Sequence, residues 1–288
     1  MAVETCRLCL LKPAIECSHV LPSFLYRAIK SDSPTGFFRN PNDPNRRFQD
    51  GAKYPLLCAA CEQRLGDAES KFARHVFSAF HSSDQDHFRY GPWLHYFMTS
   101  LAWRTLILDL PGLESDPENP RSAVVLLKAE AESMRMYLLG ANNLARCLRN
   151  HAIAWTKGSC GSAELAAAGP NVRIRRSIFG YSIIDRMHGY SGILHNLGGF
   201  MCFYIVKGNP RDMWNGTKVD PSGGEIKQPQ RVDSWLAAEL LSCIVASAQK
   251  ASAVSPIQRG KVNAAARKNP TARGLRFREM DRDFVVSQ

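Results

Sequence analysis

The chain has no apolar run approaching the roughly 18 to 20 residues that a bilayer span requires, so no membrane segment is expected. Its opening, "MAVETCRLCLLK", lacks the basic start, long apolar stretch and small-residue cleavage site of a secretory signal. These absences predict a cytoplasmic protein. Internal repeats and low-complexity tracts are missing too, which excludes an array of stacked units. Acidic residues are absent from Lys250 to Arg278, a stretch that carries Arg259, Lys261, Arg267, Lys268, Arg273 and Arg276.

What is present fits a folded protein with a sizeable core. The 288 residues are 45% hydrophobic, with a mean hydropathy of -0.24, and suffice for one or two domains. The formal net charge of +11 is uneven. Residues 1–87 hold eleven Lys/Arg against ten Asp/Glu, whereas residues from 171 onward hold eighteen against nine. Such an asymmetry suits phosphate backbones and predicts DNA as a partner. The plain alternative is a solvated basic face. Nine cysteines form an odd set in a mid-sized chain, and in a reducing compartment the paired ones point to metal ligation rather than disulfides.

Along the chain, residues 1 to about 80 carry the cysteine pairs and enclose a polar stretch, "SDSPTGFFRNPNDPNRRFQDG" (31–51), that reads as irregular. Leu65, Ala68, Phe72 and Val76 then recur at helical spacing. A mostly buried helix is expected over 92–110, with Pro92 near its start, then a loop over 112–120. A second long helix over 121–140 is closed by Gly140. The small-residue segment 158–170 suggests a boundary. Residues 172–185 and 198–208, rich in β-branched and aromatic types, predict strands. "MWNGTKVD" (213–220) carries an Asn-Gly turn signal, and 232–251 predicts a helix capped by Asp233.

Two pairs, Cys6-x2-Cys9 and Cys58-x2-Cys61, have the spacing of zinc knuckles. Two intervening residues let both sulfurs of a pair reach one tetrahedral Zn2+ at about 2.3 Å, and two pairs complete a structural four-sulfur site. A rival set, Cys6, Cys9, Cys17 and His19, would leave Cys58 and Cys61 without a metal. With four cysteines on zinc, His19 in "SHVLP" is free for chemistry. Its unperturbed pKa of about 6.5 lets it accept a proton near neutrality, although a lone histidine is more often structural.

Cys-x2-Cys, a His-hydrophobic-x-Pro segment, then Cys-x2-Cys opening a helix resembles the ββα-metal layout of HNH endonucleases with treble-clef zinc. The chain is most similar to a largely uncharacterised bacterial group within that superfamily. The likeness rests on "SHVLP" (18–22), "LLCAACE" (56–62) and Glu69, and extends through "PNRRFQDG" (44–51), "SLAWR" (100–104) and "WNGTK" (214–218). It implies an α+β protein with a zinc-bound ββα-metal module (1–87), a helical region (88–170) and a basic α+β C-terminal region (171–288). It also implies a DNA endonuclease in which His19 is the general base and Mg2+ or Mn2+ neutralises phosphate charge. Glu62 takes the position of a metal ligand, and Glu69, seven residues on, supports it from the same helix face. Their structural alternatives are a helix-dipole partner and a solvated acid. A role in antiviral defence is the family's implication alone.

The chain departs from the family at Ser18, where many members carry Asp, Glu or His as a further ligand. In a strand, Glu16 and Ser18 share a face opposite Cys17 and His19, so Glu16 does not replace that ligand. Glu62, Asp50 or Asn45 remain as metal candidates, and Asn40, Asn42 and Asn45 all suit the motif's central Asn. Two other readings compete. One is a zinc-stabilised nucleic-acid-binding module without catalysis, favoured by Ser18. The other is a docking subunit that meets a protein partner or a second copy through Trp93, Trp103, Trp155 and Tyr137, although aromatics at helical spacing are more often core.

Overall fold

The structure is a computed structural model and describes residues 4–15, 17–31, 33, 35–40, 43–83, 85–141, 149–155, 169–251 and 254–268. After the Cys6–Cys9 turn come β1 (Ser18–His19) and α1 (Ser23–Ser31), which buries Leu25 and Ile29. The hairpin β2 (Phe38–Asn40) and β3 (Asp43–Phe48) follows, and β4 (Lys53–Tyr54) returns to pair antiparallel with β1. From Cys58 runs α2 (Ala59–Phe72), which widens into a π turn over Ala73–Phe77 and ends in α3 (Ser78–Ser83). Next are β5 (Phe88–Tyr90) and the long helices α4 (Pro92–Ser115) and α5 (Arg121–Leu138).

Beyond them lie β6 (Asn150–Ala154), α6 (Pro170–Arg175), β7 (Ile178–Ile184), β8 (Ser191–Leu197) and β9 (Phe200–Lys207). Short strands β10 (Met213–Asn215), β11 (Gly224–Ile226) and β12 (Arg231–Asp233) precede α7 (Trp235–Ala251) and α8 (Pro256–Lys268). The fold mixes α and β, as the sequence predicts. Among the described residues no helix is long and apolar enough to cross a membrane.

The four-stranded sheet, in order β6-β9-β8-β7, is antiparallel throughout. Period two decides what each face meets. Ile193, Leu197, Phe200, Cys202, Tyr204 and Val206 pack with residues of α4, α5 and α2. The intervening Leu194, Met201 and Phe203 pack with Leu236, Leu240 and Ile244 of α7. Helices therefore cover both faces, which is why "FMCFYIV" is an unbroken apolar run rather than an alternating one. Gly198 and Gly199, both at positive φ, close the β8–β9 hairpin in a conformation that costs glycine little.

Because α4 lies between the sheet on one side and α2 and α5 on the other, it is apolar nearly all round. The rings of Phe72 and Phe97 stack 4.3 Å apart where α2 meets it.

Several expectations are corrected. The stretch 31–51 is not all irregular: β2 and β3 form within it, pairing Phe38 with Phe48, and Tyr26 of α1 meets Phe38 edge-on at 5.4 Å. Helix α4 runs through Pro111 to Ser115, so the expected loop starts later. Residues 172–175 belong to α6, and the strand begins only at Ile178. Asp233 lies in β12; the cap of α7 is Ser234, whose Oγ accepts the Leu236 amide at 3.3 Å. The stretch 88–170 is not purely helical, since it supplies β5 and β6, which pair with β11 and β9. Most of the small-residue segment 158–170 lies outside the described residues.

Gly180 of β7 faces the buried His195, and a Cβ there would sit 2.1 Å from His195 Cδ2. We expect Gly180→Val to destabilise the fold by about 1–3 kcal/mol through overpacking, read as a lower midpoint in chemical denaturation.

Candidate metal centre and histidine cluster

The first cysteine pair sits in a tight turn in which the Leu10 amide bonds to the Cys6 carbonyl at 2.9 Å, with Leu10 at φ 59°. Two backbone bonds tie this turn to the second pair: Arg7 N–H to Leu56 O at 2.9 Å, and Ile15 N–H to Leu57 O at 2.7 Å. Cys58 is the N-cap residue of α2 and Cys61 lies in its first turn, so both sulfurs point the same way. The Sγ atoms of Cys6, Cys9, Cys58 and Cys61 all lie within 4.8 Å of one another, and those of Cys9 and Cys58 are 3.8 Å apart. A tetrahedral ion with Zn–S bonds of about 2.3 Å places its sulfurs about 3.8 Å apart, so the set fits a metal such as Zn2+. Burial raises the Cys9 thiol, but the Leu11 and Lys12 amides and the neighbouring thiols outweigh it and bring it down to about 6. Cys17 is exposed and outside the cluster, so the rival set does not assemble.

The pairing of β1 with β4 sets His19 opposite Lys53 and Ser18 opposite Tyr54. Asp50, in the turn before β4, reaches His19 with both carboxylate oxygens 3.2 Å from Nε2. The Lys53 ammonium, 2.8 Å away, is the main cause holding Asp50 down at about 2; the Gly51 amide and His19 add to it. Facing an ionised carboxylate, Nε2 carries the hydrogen, which leaves Nδ1 as the basic nitrogen of a neutral ring; this tautomer is assigned from the partner. Among the described residues Nδ1 makes no hydrogen bond.

Behind His19 stands Arg104 of α4, buried between the module and the sheet. Its Nη1 donates to the His19 carbonyl at 3.1 Å, and its Nη2 to Glu69 Oε1 at 2.6 Å. Ser100 O and Oγ accept from the same guanidinium at 3.3 and 3.4 Å. Glu69 thus answers Arg104 rather than solvent. Glu62 lies between these groups. Burial pushes its carboxyl up, the Arg104 charge pulls it down, Glu69 pushes it up again, and the Ser18 hydroxyl and His19 favour the ionised form. Ser18 Oγ accepts the Leu57 amide at 3.2 Å. One oxygen of Glu62, Oε2, is buried without a hydrogen-bond partner.

The structure therefore gathers His19, Glu62 and Glu69, and adds Arg104, which sequence reasoning missed as a functional residue. Its only signal was a lone basic residue inside the apolar run "SLAWRTLIL". Asp50 was foreseen as a metal candidate, but it is engaged by His19 and Lys53. Asn45 Oδ1 accepts the Ser255 amide at 3.0 Å; Glu16 and Asn42, and the side chain of Asn40, lie outside the described residues. Among those residues the four cysteines are the one group of three or more His, Cys, Asp or Glu whose ligand atoms converge.

The basic segment contributes no side chain to the cluster among the contacts of the described residues. Arg259, Lys261, Arg267 and Lys268 are exposed on α8, whereas Arg273 and Arg276 lie outside the described residues. The aromatics considered for docking are largely interior: Trp103 and Trp155 are buried, and Tyr137 Oη is 3.0 Å from His95 Nδ1. Trp93 is half-buried beside His75.

Comparison with known proteins finds no matching family model, no matching curated protein and no matching solved structure.

We expect about one tightly held zinc per chain by elemental analysis, lost in Cys58→Ser together with a fall in melting temperature, because zinc binding is linked to folding. A metal-free protein of unchanged stability would contradict the fit. Arg104→Met is expected to cost about 3–5 kcal/mol by leaving the mostly buried Glu69 carboxylate unpaired, measured by denaturant titration.

Proposed function

We propose that this protein is a divalent-metal-dependent DNA endonuclease of the HNH type, its cysteine clip and β1–β4–α2 unit forming a treble-clef, ββα-metal module. The observation that carries the reading is the Asp50–His19 pair, with His19 on β1 and its charge felt by Glu62. The net positive charge suits the substrate.

His19 Nδ1 takes a proton from a water molecule whose oxygen bonds to a phosphodiester phosphorus while the P–O bond to the leaving sugar oxygen breaks, and that oxygen takes a proton from solvent. Asp50 holds the hydrogen on Nε2 and stabilises the imidazolium that forms, so its role is positioning and electrostatic. Arg104 fixes the backbone of His19, and Glu69 keeps Arg104 in place. Glu62 Oε2, buried and unpartnered, is the oxygen suited to a hard cation such as Mg2+ or Mn2+. When bound, such an ion supplies charge neutralisation at the phosphate and at the leaving oxygen. Ser18, where the family carries another ligand, holds the start of α2 and favours ionised Glu62.

One observation favours a second reading, a zinc-stabilised nucleic-acid-binding module without catalysis. Ser18 offers the ion no carboxylate, and no second group of converging acids and histidines joins Glu62 among the described residues.

Plasmid incubated with the protein and Mg2+ or Mn2+ separates the two. We expect cleavage by the wild type and a loss of about 10²–10⁴-fold in His19→Ala, with zinc content and DNA binding retained. Loss of zinc in that variant would make His19 structural, and a wild type inert in every divalent metal leaves the binding module. Asp50→Asn should lower the rate by about 10–100-fold. A rate loss accompanied by loss of zinc would assign Asp50 a purely structural role.

A further inference from the structure

The β2–β3 hairpin leaves the module just before Asp50 and carries three arginines. Arg39 and Arg47 are cross-strand partners, so two like charges face each other directly, an arrangement that costs stability in a sheet. Both guanidiniums converge on one neutral acceptor, Gln258 Oε1, at 3.2 and 3.4 Å. Gln258 belongs to the first turn of α8, and the Ser255 amide just before that helix bonds to Asn45 Oδ1 of β3. The hairpin and α8 are therefore joined although they lie about two hundred residues apart in the chain.

Arg46 and Arg47 rest over the rings of Phe48 and Phe37, at 5.1 and 5.0 Å, and neither forms an ion pair among the described residues. The helix that Arg39 and Arg47 meet adds Arg259, Lys261, Arg267 and Lys268 and contains no acidic residue. Burial and the charge of Arg47 lower the pKa of Arg39, a sign of crowded cations. Asp43 is the only acid on the two hairpin strands, at the start of β3. Arg46 and Arg47 of the hairpin and Lys261, Arg267 and Lys268 of α8 are all exposed, so this surface presents positive charge suited to a polyanion. The spacing to the histidine's partner is short: only Phe48 and Gln49 separate Arg47 from Asp50, at most about 10 Å of extended chain.

We propose that the β2–β3 hairpin and α8 form one basic platform that grips the phosphate backbone of duplex DNA beside His19, with Arg46 and Arg47 as its contacts nearest the histidine. The inference deepens the endonuclease reading and rests on it for the choice of polyanion. The platform positions the strand and carries no base readout of its own.

The test uses the full chain with His19→Ala and no added divalent metal, so that binding is measured without cleavage. Anisotropy of a short fluorescent duplex is followed across roughly 50–200 mM salt. Adding Arg46→Gln and Arg47→Gln should reduce the log–log salt slope by about two and weaken binding by tenfold or more, whereas the paired Arg→Lys changes keep the slope. Unaltered zinc content shows that the module still folds in each variant. An unchanged slope in the double Gln variant overturns the platform. Tighter retention of polyglutamate or of single-stranded RNA than of the duplex overturns the assigned occupant. If the slope shifts as expected while wild type with Mg2+ never cuts, the platform stands and the nuclease reading falls.

Discussion

The guanidinium of Arg104, buried at the middle of α4, holds together parts of the chain that share no sequence neighbourhood. Its three nitrogens bond to the carbonyl of His19, the carboxylate of Glu69 and two oxygens of Ser100. An ion placed this deep is tolerable only when its donors are met, and here strand β1, helix α2 and helix α4 each supply an acceptor. Its field also reaches two further groups, Glu62 and His195. It draws the Glu62 carboxyl downward against burial, and it adds to the burial that takes His195 down to about 3. A neutral His195 can then meet the Thr105 hydroxyl at 2.8 Å inside the helix–sheet interface.

The cysteine clip and the sheet consequently belong to one continuous interior. Leu21, Leu25, Ala68 and Phe72 share a cluster with Leu197, Phe200 and Ile226. Cys6, Cys58 and Cys61 share another with Leu106, Leu127, Met134, Ile193 and Tyr204. Losing the clip therefore disturbs more than a loop, because the same leucines that surround the sulfurs line the helices over the sheet. The proposed role of His19 draws on this rigidity. A general base needs its accepting nitrogen held within a fraction of an ångström, and β1 is only two residues long. What holds it is the pairing to β4, the Arg104 bond to its carbonyl and the Asp50 carboxylate at its ring.

Charge is arranged differently on the outside. Two carboxylates near His19 are claimed by a cation, Asp50 by Lys53 and Glu69 by Arg104, while Glu62 keeps one buried oxygen without a partner. The hairpin and α8, by contrast, gather cations around a neutral glutamine. The first arrangement gives the proposed proton transfer a fixed electrostatic setting, the second gathers positive charge at the surface, and the two are joined by the short link from Phe48 to Asp50.

The local signals in the sequence were read correctly where one residue type has one physical use. Two Cys-x2-Cys pairs specified the clip, because two intervening residues bring both sulfurs of each pair to one tetrahedral ion. Pro92, Gly140 and the apolar runs of β7 and β9 marked helix ends and strands for the same reason, since fixed φ, positive φ and branching at Cβ are properties of single residues. Partners were not legible. That Asp50 faces His19 follows from the β1–β4 register, and that Arg104 faces both His19 and Glu69 follows from how α4 crosses α2; neither spacing is encoded in a local period. The hairpin hidden in "FFRNPNDPNRR" looked like irregular chain because its strands are polar and interrupted by Pro and Asn, and its basic face became visible only once Gln258, from the far end of the chain, packed against it. Side-chain chemistry was fixed by the residues themselves, but which charges stand neutralised and which stand exposed was decided by packing.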